Sequence, residues 1–253
     1  MTIEAELCCN QKNNTMNELK GKVVYITGGS KGIGLGIAKT LLDVGMRVAI
    51  TSRSLKAAEE AAATLNAGKD RLLPLESDVA DASSEENAVK AVVDHFGQLD
   101  VLVANAGIGH FAPIDSMTDK QWNETIDTNL TGVFHSVKAS IPALKKSEGY
   151  IITIASLAGT NFFEAGAAYN ASKYGLVGFS QAIMLDLRQY GIKVTTIMPG
   201  SVATYFNNHQ PSDADAWKIQ PEDMGQMVLD LLNMHPRTLP SKIEVRPSKP
   251  PKK

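Results

Sequence analysis

Val23-Val24-Tyr25-Ile26-Thr27-Gly28-Gly29-Ser30-Lys31-Gly32-Ile33-Gly34 is the stretch from which the fold follows. Its first five residues form an apolar, β-rich run, the pattern of a strand buried on both faces. Glycines then cluster, and helical apolar spacing continues to about Val44. Glycine permits positive φ and lets the backbone approach a ligand closely. The helix N-terminus behind the turn offers free N–H groups and a positive dipole end to an anion such as a pyrophosphate. A glycine turn elsewhere is only a tight turn. Between a first buried strand and its helix it points to nucleotide binding.

Outward from this unit, strand and helix patterns alternate. Further strands are predicted over 47–51, 71–76, 99–104, 150–154, 193–198 and 242–246, and helices over 55–66, 84–96, 119–146, 165–190 and 221–234. Such alternation predicts an α/β fold, a parallel sheet of about seven strands with helices on both faces. Residues 1–19 are polar and without periodicity and read as a flexible leader, although Met16 opens a sequence that would itself suit a domain start. Residues 20–247 form a single domain, and the Pro/Lys-rich 248–253 reads as a disordered tail.

With 253 residues the chain can bury a full sheet. A net charge of −2, with no basic block beyond the Lys/Pro tail, argues against nucleic acid as a partner. No stretch approaches the roughly 20 apolar residues of a membrane span. The acidic, uninterrupted polar N-terminus does not read as a signal peptide. Cys8 and Cys9 are adjacent and make neither a disulfide framework nor a metal site, and the five histidines lack ligand spacing. A cytoplasmic protein without a metal is the expectation.

Chemistry concentrates in Ser156, Tyr169 and Lys173. Ser156 follows the run Tyr150-Ile151-Ile152-Thr153-Ile154 and so falls at the C-terminal end of a strand, where open α/β sheets place ligands. Tyr169 and Lys173 are four apart in a helical pattern and share one face. A free phenol has a pKa of about 10. A nearby ammonium favours the phenolate, and a serine hydroxyl can hold the other reacting oxygen. The trio suits proton transfer at a carbonyl or alcohol oxygen.

The loop spacing Gly-x-x-x-Gly-x-Gly after Thr27, joined to Asn105-Ala106-Gly107, Asn129, Ser156, Tyr169-x-x-x-Lys173 and Pro199-Gly200, resembles the short-chain dehydrogenase/reductase family from about Gly21 to Thr204, and more loosely to Val245. The resemblance implies a doubly wound Rossmann fold and hydride transfer between a nicotinamide and a ketone or secondary alcohol. Tyr169 would be the general acid/base. Lys173 would lower its pKa and hold the nicotinamide ribose, Ser156 would bind the substrate oxygen, and Asn129 would support a water in a proton relay. Carried over residue by residue, the cofactor would lie along Gly28, Ser30, Lys31, Gly32, Ile33 and Gly34. Asp78 and Val79 would flank the adenine. Asn105, Ala106 and Gly107 would abut the cofactor, and Pro199, Gly200, Val202 and Thr204 would lie beside the nicotinamide.

At the end of the second strand an NAD enzyme carries Asp or Glu for the ribose 2′-hydroxyl. Ser52 stands there instead, followed by Arg53, and Lys31 lies in the loop. Two cations and no carboxylate suit a 2′-phosphate, which favours NADP(H) over NAD(H). Ala158, Phe162, Phe163, Ser201 and the 205–219 segment are the expected substrate pocket, partly apolar. Two other readings stay open: a 3-oxoacyl-[acyl-carrier-protein] reductase, and a non-catalytic NADP(H)-binding sensor or scaffold. Glu244-Val245-Arg246-Pro247 replaces the Asp-Gly-Gly type of ending common in bacterial relatives. The long helices 119–146 and 165–190 are expected to pair between subunits in a homodimer or homotetramer.

Overall fold

A computed structural model describes residues 19–250. The expected leader falls outside these residues apart from Leu19, which is buried in the core at 9% exposure. Residues 251–253 of the expected tail also fall outside them, while 248–250 are exposed and belong to no helix or strand.

In chain order the elements are β1 (Val23–Ile26), α1 (Gly32–Asp43), β2 (Arg47–Ser52), α2 (Leu55–Leu65), β3 (Leu72–Glu76), α3 (Ala82–Phe96), β4 (Val101–Ala104), α4 (Asp119–Ile126), α5 (Gly132–Ser147), β5 (Tyr150–Ile154), α6 (Ala167–Leu187), β6 (Lys193–Pro199), α7 (Pro221–Leu232) and β7 (Lys242–Val245). The seven strands form one sheet in the order β3-β2-β1-β4-β5-β6-β7, every pair parallel. Strand order reverses between β1 and β4, and the carboxyl ends of the strands flanking such a switch point form the ligand crevice of an open α/β sheet.

Side-chain alternation along the strands builds two cores. In β1, Val24 and Ile26 join Val48, Ile50, Val103 and Ile152 on the face covered by α1 and α7. Val23 and Tyr25 face the other way, with Ala49, Leu102, Ile151 and Val194 under α3, α5 and α6. Burial on both faces explains the near-continuous apolar runs of the inner strands. β7, at one edge, is different: Lys242 and Glu244 are exposed and alternate with half-buried Ile243 and Val245. Charge on an edge strand discourages pairing with further chains.

Local chemistry sets the helix starts. Thr118 and Gln121 form a reciprocal capping box before α4, with bonds of 3.2 and 3.0 Å. Pro221 opens α7, and Asp223 accepts from Gln220 N–H at 2.8 Å. The single helix expected over 119–146 contains a π-helical turn, Asp127–Thr131, joining α4 to α5. Such turns widen the helix by one residue and are frequent at functional sites. Among the described residues no helix is long and apolar enough to cross a membrane.

Candidate active site

The glycine turn is fastened to β4. Thr27 Oγ1 accepts from Asn105 N–H at 3.0 Å and Ala106 N–H at 3.1 Å. The Asn105 side chain returns two bonds, from Nδ2 to Thr27 O at 2.9 Å and Gly28 O at 3.0 Å. Asn105 thus holds the turn from below. Gly34 has no room for a side chain, since a Cβ there would sit 2.6 Å from Asn105 Nδ2. Gly32 opens α1 at φ +56 and faces Thr204 Cγ2, 3.2 Å from where a Cβ would be. These are the surroundings of a backbone cradle that a side chain would fill. Lys31, the N-cap of α1, makes no side-chain cap bond, so the first-turn N–H groups are directed to whatever lies above the turn.

Ser52 closes β2, and Arg53 and Lys31 are exposed near these strand ends. Glu76 of β3 pairs in register with Ser52, a neighbour that sequence reasoning did not weigh. Its carboxylate accepts from Leu55 N–H at 3.0 Å and so caps α2. Asp78 is exposed and accepts from Ala80 N–H, whereas Val79 is buried against Gly132.

Ser156 follows β5 in extended backbone, and its Oγ accepts from Ala158 N–H at 3.1 Å, starting the short turn Leu157–Gly159. Its O–H remains a donor for a second oxygen. Asn170 ties this segment to α6: Nδ2 donates to Ala158 O at 2.8 Å and to Asn161 O at 2.7 Å. Tyr169 and Lys173 sit one turn apart on α6, as their spacing predicts. Lys173 is buried, 4% exposed, and Nζ donates to Ile154 O at 3.0 Å. Burial pulls its pKa down to about 8.

Tyr169 behaves otherwise than its neighbours suggest in sequence. Burial pushes the phenol above its ordinary value, and the Ser156 hydroxyl only partly offsets this. The rings of Phe111, Phe206 and Phe163 surround it, with centroids 5.4, 5.6 and 6.5 Å away. Lys173 Nζ is 5.7 Å from the Tyr169 ring centroid and engaged with Ile154 O, so desolvation outweighs its attraction for a phenolate.

Asn129 lies in the π turn and is fully buried, not the solvent-facing amide usual in mid-helix. Its Oδ1 accepts from Ile108 N–H at 2.8 Å, and Nδ2 donates to Ile108 O at 2.8 Å and Ser172 Oγ at 3.0 Å. It joins the loop after β4 to α6. Gly107 is near both: a Cβ there would lie 3.3 Å from Asn129 Oδ1 and 3.6 Å from Lys173 Nζ. Asn105-Ala106-Gly107, Asn129, Ser156, Tyr169 and Lys173 are therefore brought together at the C-terminal edge of β4 and β5. Pro199 ends the adjacent β6, and Gly200 follows it, its N–H donating to Val245 O at 2.7 Å. Val202 bridges Ile219 and closes the 205–219 segment at its base.

Among the expected substrate residues, Ala158 is buried and Ser201 exposed. Phe163 joins the rings at Tyr169, while Phe162 is 87% exposed and stands apart from them. Phe206 lies in the 205–219 segment expected at the pocket, whereas Phe111 had no motif or periodicity to single it out. The five histidines bond other partners: His110 with Glu124, His209 with Asp215, His135 with Val79 O, His95 with Lys69 O and His235 with Arg237.

Known proteins match this arrangement. The family described as short chain dehydrogenase matches residues 22–215. An uncharacterized oxidoreductase of Staphylococcus epidermidis is 31% identical over 233 residues, 92% of this chain and 100% of that protein. The 3-oxoacyl-[acyl-carrier-protein] reductase FabG of Escherichia coli is 39% identical over 187 residues, 73% of this chain and 75% of that protein. Glycine betaine reductase ATRR of Emericella nidulans is 34% identical over 213 residues, 84% of this chain, which spans 17% of that protein's length. Among solved structures, the alcohol dehydrogenase from the archaeon Thermococcus sibiricus complexed with 5-hydroxy-NADP superposes with a TM-score of 0.85 at 28% identity, covering 92% of this chain and 99% of that one. The 3-ketoacyl-(acyl-carrier-protein) reductase from Brucella melitensis complexed with NADH gives 0.82 at 26% identity, covering 91% and 98%. This chain belongs to the short chain dehydrogenase family and is an NAD(P)-dependent oxidoreductase.

Proposed function

We propose that the protein reduces a ketone, or oxidises the matching secondary alcohol, with NADP(H), using Tyr169 as general acid/base. The observation that carries this reading is the buried Lys173 ammonium one helical turn from a desolvated phenol, beside a serine hydroxyl at the end of β5. A bound nicotinamide supplies the hydride in reduction and takes it in oxidation. Tyr169 gives its proton to the carbonyl oxygen as that oxygen gains charge, and Ser156 donates a hydrogen bond to the same oxygen. The carbonyl carbon thereby gains one hydride and the oxygen one proton. An ammonium has three N–H groups, and among the described residues Ile154 O is the one hydrogen-bond acceptor of Lys173, which leaves donors for ribose hydroxyls. Asn129, with its side chain engaged by Ile108 and Ser172, holds the helix turn from which a proton path would start. Ala158, Phe163 and Ser201 border the substrate oxygen's surroundings.

Lys31 and Arg53 support NADP(H), since two exposed cations and Ser52 suit a 2′-phosphate. Dissociation constants for NADPH and NADH measured by fluorescence should differ by at least about tenfold, the scale of one charge-assisted contact. A difference below twofold would refute the preference. For the chemistry, Tyr169→Phe should lower turnover by at least roughly a hundredfold while NADPH affinity stays close to wild type. Substantial retained turnover would remove Tyr169 from the role.

A second reading, a 3-oxoacyl thioester on acyl carrier protein, draws on the 39% identity to FabG. NADPH oxidation with a 3-oxoacyl thioester and a simple aryl or alkyl ketone, side by side, separates the two. The expected oligomer, a homodimer or homotetramer through α4–α6, draws on exposed Phe134, Tyr174 and Leu185 on these helices.

A further inference from the structure

The phenylalanines around Tyr169 come from three separate segments: Phe111 from the loop after β4, Phe163 from the segment before α6, and Phe206 from the short turn 206–208 beyond β6. Phe206 packs against Phe111 and Tyr169. Its ring is 5.6 Å from that of Tyr169 at 54° and 6.3 Å from that of Phe111 at 67°. Phe111 in turn meets Tyr169 edge-on at 5.4 Å and 65°. Tilted and edge-to-face contacts of this kind are the preferred geometry of aromatic pairs. Gly109 makes the closure achievable, because a Cβ there would come within 2.7 Å of Phe206 Cζ and 2.8 Å of Phe111 Cζ.

Phe206 is set apart from the other walls by its backbone. Phe163 is the more exposed ring, 48% against 37%, but only Phe206 is followed by two residues, Asn207 and Asn208, with φ of 53 and 60 in the left-handed region. Asparagine tolerates that region better than most residues, which suits a short segment that changes course. The walls are Phe, Phe, Phe and Tyr, and the polar neighbour of Phe111, His110, is taken up by Glu124 at 2.9 Å.

Resting on the reading of Tyr169 as the proton donor, we infer that the slot filled by the Phe206 ring is the substrate's own: a flat, phenyl-sized group bonded directly to the reacting carbonyl replaces that ring against Phe111 and Tyr169. The preferred substrates are then aryl ketones or their benzylic alcohols. Phe111 sets that preference, and Phe206 is a resident competitor that swings out.

The test is NADPH oxidation with acetophenone and with cyclohexyl methyl ketone, for wild type, Phe111→Leu and Phe206→Ala. Each ratio of kcat/KM is taken relative to wild type, which cancels the different intrinsic reactivity of the two ketones. Phe111→Leu should lower the aryl-to-cyclohexyl ratio about tenfold, the scale of a pair of aromatic contacts. Phe206→Ala should lower KM for acetophenone at least about threefold, because the slot no longer has to be vacated. Unfolding temperatures close to wild type establish that both variants fold. An unchanged ratio in Phe111→Leu, or an unchanged KM in Phe206→Ala, overturns the inference while leaving Tyr169 chemistry intact. Preference for a carbonyl bearing a trimethylammonium group over both ketones also overturns it, since the rings would then be reading a cation. If wild type binds NADPH but reduces neither ketone, this inference fails, and the functional reading fails with it only if a 3-oxoacyl thioester is not reduced either.

Discussion

Between Ile154 and Tyr169, the Lys173 ammonium sits almost out of solvent, with its pKa pulled down to about 8 by burial. The unfolded chain would hold that proton up to its ordinary value of 10.5. Below pH 8 both states are protonated, and the folded state bears the full cost of a buried charge. As pH rises from 8 to 10.5 the folded state releases the proton first, so folding gains stability across that window. The gain is about 3 kcal/mol from the two pKa values, an order-of-magnitude figure. Lys173→Met removes the titration and leaves all other groups in place. Urea unfolding without cofactor should therefore show wild type gaining on Lys173→Met between pH 8 and 10.5, with turnover lost in the variant. Parallel pH profiles would mean that the ammonium is solvated in the folded state. Tyr169 adds a directional expectation: a phenol held above 10 is ready to donate at neutral pH, so alcohol oxidation should accelerate as pH rises while ketone reduction does not.

At the scale of elements, strand runs and motif spacings were legible because each depends on local pattern. The β5 run Tyr150–Ile154 matches its predicted bounds, and Tyr169 and Lys173 share a helix face as their spacing requires. What escaped reading depends on contacts between distant segments. The π turn at Asn129 arises where the helix meets the loop at Ile108 and Ser172 of α6, and no periodicity shows that in sequence. Phe111 and Phe206 are 95 residues apart, and only the closed loop after β6 brings them together. That loop has a clasp of its own. Asp215 is nearly buried and bonds Lys218 and His209, both at 2.6 Å, and Gln220 Nε2 donates to Asp215 O at 3.2 Å. The Lys218 and His209 bonds, with the Ser212 N–H, hold the Asp215 carboxyl down at about 2. Because the folded value is depressed, the stabilisation is complete above the ordinary value of 3.8 and is lost only as pH falls through about 2. The Asp215 carboxylate is therefore ionised over the working pH range. Asp215→Asn should release Lys218 and speed tryptic cleavage after it by roughly tenfold, the scale of a lost charge-assisted bond. Equal cleavage rates would show that the Val202–Ile219 bridge alone holds the loop.

For the whole molecule, the two faces of the sheet are not finished alike. α1 and α7 close one side, and the exposed surface of α4–α6 on the other keeps large apolar side chains. Phe134 on α5 is 43% exposed, and Tyr174 and Leu185 on α6 are 43% and 53% exposed. Phe134 lies 6.4 Å from half-buried Phe179, so α5 and α6 meet through an aromatic contact and each carries exposed apolar side chains beside it. Scattered exposed apolar residues are ordinary on a monomer, but such residues on two long neighbouring helices suit a self-complementary interface about a two-fold axis. Pairing there would press on α6 from outside, directly behind Ser172 and Lys173, whose inner contacts reach Asn129 and Ile154. Sedimentation velocity at micromolar concentration should give a dimer or tetramer, and Phe134→Asp should shift it toward monomer by burying an unpaired carboxylate. The unfolding temperature of wild type should rise with protein concentration, because association stabilises the folded state by mass action, and that rise should shrink in Phe134→Asp. A wild-type monomer with a concentration-independent unfolding temperature would mean that these side chains are simply exposed, and that α6 holds Lys173 in place through the contacts of a single chain.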